Sequence, residues 1–253
     1  MRGCLHAAVV IGSIVCAGAE PAHAQASAAR PDRVRIGVSA GVQPSPTSFG
    51  SSTTTSVYLE ASVVDTAYTI ANGRFLDGGA AIRLAGSMWV GVAVSRLTTH
   101  DEAGVHAAIP HPFFYHAPRS VDGTASGLRR DELVTHLQVV DVIRPTRDVE
   151  IALAAGPSFF KVTQAFVYDV TYADTYPYDL PAFTTALSRE VSGRRTGFNA
   201  SADITLRLSP GIGVGGLLRF SRAQVQFAVP NSGAAVTSKA GGLQAGAGLR
   251  LYF

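Results

Sequence analysis

Residues 198–208 alternate without a break. Phe198, Ala200, Ala202, Ile204, Leu206 and Leu208 fall on one face, and Asn199, Ser201, Asp203, Thr205 and Arg207 on the other. A repeat of two belongs to a β-strand, and such separation means that one face meets an apolar medium and the other a polar one. The pattern returns at 34–42, 76–84, 88–94, 133–143, 149–159, 212–220 and 243–253. With only 15% charged residues and 26 glycines, the chain has no long amphipathic segment of helical period to set against these strands.

The connections sort by length. The joints at 85–87, 145–148 and 209–211 are tight, whereas 43–74, 97–132 and 167–193 are long and 228–238 is intermediate. Long and short joints alternate along the chain. That order describes an antiparallel meander with its turns on one side and its loops on the other.

A meander of this kind, with each strand apolar on one face over about ten residues, resembles a bacterial outer-membrane β-barrel of the small OmpA, OmpX and OmpW kind. The chain ends in Gly248-Leu-Arg-Leu-Tyr-Phe253, similar to the C-terminal strand signal of such proteins. Gly248, Leu251 and Phe253 match its glycine, apolar and terminal aromatic positions. Gly246 stands where the signal usually carries a polar residue. The resemblance implies an all-β fold, an eight-stranded antiparallel transmembrane barrel over 33–253, with long extracellular loops and short periplasmic turns. It further implies location in the outer membrane, contact with outer-membrane lipid and lipopolysaccharide, and delivery by the barrel-assembly machinery. Residues 56–70 also have strand composition, and Asn72-Gly73 follows them as a hairpin signal. They are expected to extend the second strand or to form a hairpin in the first loop; a ten-stranded barrel is the other option.

Residues 1–24 have the form of a cleaved signal peptide: Arg2, an apolar run over 7–19, and Ala22-His23-Ala24 as the processing site. Residues 25–32 then form a short lead into the barrel. Both cysteines, Cys4 and Cys16, lie in the signal segment, so the mature chain has no disulfide framework. A net charge of +3 is too small and too dispersed to indicate nucleic acid.

Arg35, Asp77, Arg83, His136, Glu150, Asp203, Arg207, Arg219 and Arg250 all fall on polar faces. An eight-stranded barrel is just wide enough to be filled by its side chains. These residues are therefore expected to interlock as a charged plug, since buried charges must be paired. A narrow polar pore is the alternative. His100, His106, His111 and His116 crowd the run HDEAGVHAAIPHPFFYH without the spacing of a metal site, which suggests an ordered surface loop and no metal. The tyrosines and aspartates of YDVTYADTYPYDLPAF suit the aromatic girdle at the membrane interface, or a recognition surface or weak calcium site.

Catalysis needs a nucleophile beside a base and an orienting group; no His-x-Ser pair occurs, and Gly37-Val38-Ser39-Ala40-Gly41, which has Gly-x-Ser-x-Gly spacing, lies inside the alternating strand 34–42 and not at a strand-to-helix elbow. Asp131, Glu132 and Asp141, near His136 in sequence, are placed on the opposite face from it. No enzyme and no cofactor are expected. The sequence thus points to a structural or surface-interaction role with a side-chain-filled lumen, the alternatives being slow passage of a small or hydrophobic solute and a soluble lipocalin-like binder with its apolar faces turned inward. What the long loops bind is unspecified.

Overall fold

The computed structural model describes residues 32–44, 47–229, 231 and 235–253. The expected signal peptide, and all but the last residue of the expected lead segment, lie outside these residues. The described chain is ten antiparallel strands: β1 (Val34–Gln43), β2 (Thr47–Val57), β3 (Glu60–Ile70), β4 (Gly73–Ala85), β5 (Met88–Ile109), β6 (Arg119–Ile143), β7 (Val149–Ala173), β8 (Ala182–Ser209), β9 (Ile212–Ala228) and β10 (Ala235–Tyr252).

Eight of them close a ring in the order β1-β4-β5-β6-β7-β8-β9-β10. The last strand returns to the first, from Arg35 opposite Tyr252 to Val42 opposite Ala245. Closure leaves no sheet edge at this level, the condition for placing backbone in hydrocarbon. The remaining strands, β2 and β3, are a hairpin in the first connection, as one of the options for 56–70 had it. Its turn lies at Tyr58 and Leu59, both at positive φ, so the hairpin begins earlier than strand composition suggested. Residues 63–69 of β3 pair with 102–108 of β5, above the place where β4 pairs with the lower part of β5. The hairpin thus carries the wall upward where short β1 and β4 end. On its far side no ladder joins β2 to β10 among the described residues; Thr54 N–H donates to the Asn231 carbonyl there (3.1 Å).

The chemistry of the two faces changes partway up each long strand, as β9 shows. Its outward residues are Ile212, Val214, Gly216, Leu218 and Phe220, then Arg222, Gln224 and Gln226. Its inward residues are Gly213, Gly215, Leu217, Arg219 and Ser221, then Ala223, Val225 and Phe227. Parity never slips; the two solvents trade places. From Ile212 to Phe220, at ~3.3 Å per residue and a tilt of ~40°, the strand climbs roughly 20 Å, close to the ~25 Å apolar band of such barrels. β5 repeats the exchange, with Met88, Val90, Val92 and Val94 outward below and Arg96, His100, Glu102 and His106 outward above.

Above the belt the barrel is built like a soluble protein. Phe49 stacks on Tyr68 with ring centroids 4.7 Å apart, and Phe166 meets both Tyr68 and Phe227 edgewise or tilted. Val64, Val105, Ile109, Val121, Val162 and Val225 pack with them in one cluster. The Tyr68 hydroxyl accepts the Val167 N–H (2.8 Å), so its polar end is not stranded. Burial pushes the Tyr68 phenol pKa upward.

Much of what the sequence suggested as long loops is therefore strand. Residues 97–109 and 119–132 continue β5 and β6, and 167–173 and 182–193 continue β7 and β8. His100 and His106 lie on β5, and only His111 and His116 lie in the connection at 110–118. The tyrosine-rich segment is not an interfacial girdle either. The outward apolar run of β7 ends near Phe159, and Tyr168 and Tyr172 stand above it, under the guanidinium groups of Arg189 and Arg119 at 5.5 and 5.9 Å.

Candidate functional site in the lumen

The lumen at belt level is filled by side chains that the inward parity of the eight ring strands delivers to one axis. At the turn side, Asp32 accepts from Arg144 (2.6 Å) and Arg207 (2.7 Å). Glu150 accepts from Arg144 (3.0 Å) and the Tyr252 hydroxyl (3.3 Å), and pairs with Arg35 at 3.3 Å. The Arg207 guanidinium lies 3.9 Å from the Tyr252 ring centroid. One level up, Asp203 is held between Arg35 and Arg250 and accepts from Thr205 (2.8 Å). Arg219 closes on Asp77 from the opposite wall.

Next in the lumen comes His136, fully buried. Its Nε2 is 3.1 Å from the Ser95 hydroxyl and its Nδ1 2.8 Å from that of Ser158, which also accepts from Asn199 (2.8 Å). Among the described residues no carboxylate bonds this ring. Glu132 does face inward, not outward as the sequence reading had it, because it is an even number of residues from His136. It serves a separate cluster in which Arg130 donates to Glu132 (2.8 Å), Gln164 (3.0 Å) and the Lys239 carbonyl (3.0 Å), while Glu132 accepts the Gly241 N–H (3.0 Å).

Of the expected lumen residues, Arg35, Asp77, Glu150, Asp203, Arg207, Arg219 and Arg250 join the ion-pair network, and His136 sits above it. Arg83 does not. It lies beside the β4–β5 turn and donates to the Gly86 carbonyl (2.7 Å). Asp32, Arg144, Arg130, Gln164 and Ser158 were missed. Arg144 borders a turn, and Arg130 lies in sequence that read as loop.

Between these side chains lies a cavity of about 90 Å³, lined by Arg35, Ser39, Asp77, Asp203, Arg219 and Arg250 among others. That is room enough to hold water. Charges of both signs face it, so it offers no field selective for one ion. Chemically, the arrangement holds charges still. No group of three or more His, Cys, Asp or Glu residues with metal-site geometry occurs among the described residues.

Above the plug, Asp101 accepts the Ala71 N–H (3.2 Å) and the Thr99 hydroxyl (2.9 Å), tying the β3–β4 turn to the wall. Burial raises the pKa of this carboxyl above the ordinary aspartate range. A raised folded-state pKa means that the fold favours the neutral acid. Its stabilising share is present below the unfolded-state pKa and is lost as pH rises through the folded one. Asp101→Asn, neutral at every pH, should therefore gain on the wild type as pH rises through that window, measured as the temperature at which the folded band converts in cold SDS. A difference independent of pH would contradict this.

A closed ring of antiparallel strands, belted with Val, Ile, Leu, Ala and Phe outside and charged within, has the fold of a small bacterial outer-membrane β-barrel. The crystal structure of the outer membrane protein OprG from Pseudomonas aeruginosa is similar over 88% of this chain and 96% of that one, with a TM-score of 0.53 at 11% identity. Neisserial surface protein A (NspA) aligns over 87% of this chain and 97% of its own, with a TM-score of 0.45 at 12% identity. Ail of Yersinia pestis aligns over 87% and 99%, with a TM-score of 0.35 at 10% identity. No family model and no curated protein matches the chain.

Proposed function

We propose that this protein is an integral outer-membrane barrel that does not conduct, and whose working surface is its rim. The observation that supports this most is the lumen crossed by buried ion pairs at successive levels, with an apolar core above them. A solute would have to part Arg35 from Asp203 and Arg219 from Asp77, leaving buried charges unpaired. The rim, in contrast, is braced and open. His116 N–H donates to Glu60 at the hairpin (3.2 Å), and Arg119 grips Asp174 across the connections (2.7 and 3.2 Å). The His111 Nδ1 accepts the N–H groups of Phe113 and Phe114 (3.1 and 3.2 Å), and this turn leaves Phe113, Phe114 and Tyr115 more than 60% exposed.

Purified protein should run as a compact band unboiled and shift on heating, and it should produce no discrete conductance steps in a planar bilayer. Stepwise ohmic conductance would replace the plug by a pore. A second reading, passage of a hydrophobic solute, draws on the absence, among the described residues, of a ladder between β2 and β10 and on the groove of about 220 Å³ near it, lined by Thr47, Phe220, Arg222 and Lys239 among others. Uptake of an apolar dye by proteoliposomes in the absence of conductance would favour that reading.

A further inference from the structure

The charges around the lumen cavity are of both signs but not equal in number. Three guanidinium groups line it, those of Arg35, Arg219 and Arg250, against two carboxylates, Asp77 and Asp203. All five residues are buried. Arg35 also reaches Glu150 at 3.3 Å, but Glu150 belongs to the turn-side tier, where it and Asp32 face Arg144 and Arg207, two against two. The surplus positive charge therefore lies at the cavity.

A second, independent observation falls on one of the same residues. Both terminal amino groups of Arg219 are taken by Asp77. Its Nε–H is buried without a hydrogen-bond partner among the described residues, in a residue only 3% exposed. A buried donor left unpaired and a buried charge left unbalanced each cost stability, and one bound anion answers both. Ser201 also lines the cavity; its Oγ accepts from Gln138 Nε2 (3.2 Å) and can still donate its own proton.

We infer that the cavity binds a small monovalent anion of the halide class, held among Arg35, Arg219 and Arg250 with the Ser201 hydroxyl as a further donor. The inference rests on the plugged lumen proposed above. One surplus positive charge calls for one negative charge. A doubly charged anion would exceed it beside Asp77 and Asp203, and a volume of about 90 Å³ excludes a bulky organic acid. Nothing in the cavity wall tells chloride from bromide. The anion is resident and not in transit: it completes the balance of the network that closes the lumen.

The test is thermal unfolding of the full chain, refolded in mild detergent and followed by circular dichroism, while sodium chloride or sodium bromide replaces sodium gluconate at constant ionic strength. Fixed ionic strength removes screening from the comparison. The wild-type unfolding temperature should rise with the logarithm of halide concentration once the site fills, because a ligand bound only by the folded state stabilises it by mass action. Ser201 stands directly opposite Arg219 across the β8–β9 ladder. Ser201→Asp should therefore supply the negative charge from within, lose the halide dependence, and unfold in gluconate near the temperature that the wild type reaches in chloride. Ser201→Asn, similar in size but neutral, should keep the wild-type dependence. Crystals grown from bromide should show an anomalous peak within hydrogen-bonding reach of Arg219 Nε. Wild-type unfolding that ignores halide, equal halide dependence in Ser201→Asp, or bromide crystals without that peak would each overturn the inference and leave the cavity to water. Planar-bilayer conductance is recorded on the same preparations. Stepwise conductance overturns the plug and the anion site with it, whereas a silent barrel without halide dependence overturns only the anion site.

Discussion

Asp203→Ala should convert from the folded to the unfolded band at a much lower temperature than the wild type. Asp203 is the carboxylate shared by Arg35 and Arg250, with Thr205 as a third donor. Removing it strands two guanidinium groups in a lumen where Arg250 is 3% exposed. Arg35 keeps Glu150 at 3.3 Å, but Arg250 has no second carboxylate partner among the described residues. Breaking one side of a buried pair costs about 3–5 kcal/mol. Asp203→Asn, which retains an acceptor oxygen but not the charge, should fall between the two. An unchanged transition in Asp203→Ala would mean that the lumen is wet enough to solvate the arginines, and the plug would have to be given up.

Gly248→Ala should prevent closure. Gly248 lies on β10 opposite Ser39 of β1, in the seam that turns the sheet into a ring. A Cβ built there would sit 1.8 Å from the Val38 carbonyl oxygen and 2.6 Å from the Ser39 Cα, and backbone cannot rotate aside as a side chain can. The expected result is near-complete loss of the heat-shifting band after refolding in detergent. Gly78→Ala on β4, where nothing lies within 4 Å of the added carbon, should refold normally. Refolding in detergent also separates two roles for this glycine, because no assembly machinery is present. If Gly248→Ala refolds there like the wild type, the residue matters as a delivery signal and not as packing.

The belt was legible in the sequence because period two is robust: one misplaced residue does not disturb the face on which the next one falls. Phe198 to Leu208, Ile212 to Phe220 and the terminal strand could each be assigned to a lipid face from alternation alone. The upper barrel was hidden by the same logic. Above the belt the outward residues turn polar and the inward ones apolar, so a reader following the apolar face sees the strand stop at Val94 or Phe220. Thr98, His100, Glu102 and His106 then look like a polar loop, although they are the outer face of a continuing strand. Of the site, the residues deep in the belt were visible because a charge opposite Val, Leu or Ile can only face inward. Arg130 and Glu132 were not, since they lie where the exchange occurs, and Arg83 misled because parity gives direction but not depth. Nothing in the chain's order tells that Asp77 and Arg219 meet; that follows from barrel closure, which alone brings β4 within reach of β9.

The exchange of faces along unbroken strands also governs how the protein tolerates change in length. Because direction is set by counting in twos, adding or deleting two residues in the upper part of β9 would lengthen or shorten the tower and leave Val225 and Phe227 inside. A single-residue change at Ser221 would act as a frameshift in space, turning Gln224 and Gln226 into the core and Val225 and Phe227 out to water while the lipid belt below stays in register. The upper tower can therefore be resized only in even steps, or in odd steps accompanied by a bulge of the kind already present where the β7–β8 register shifts between Val167 and Asp169.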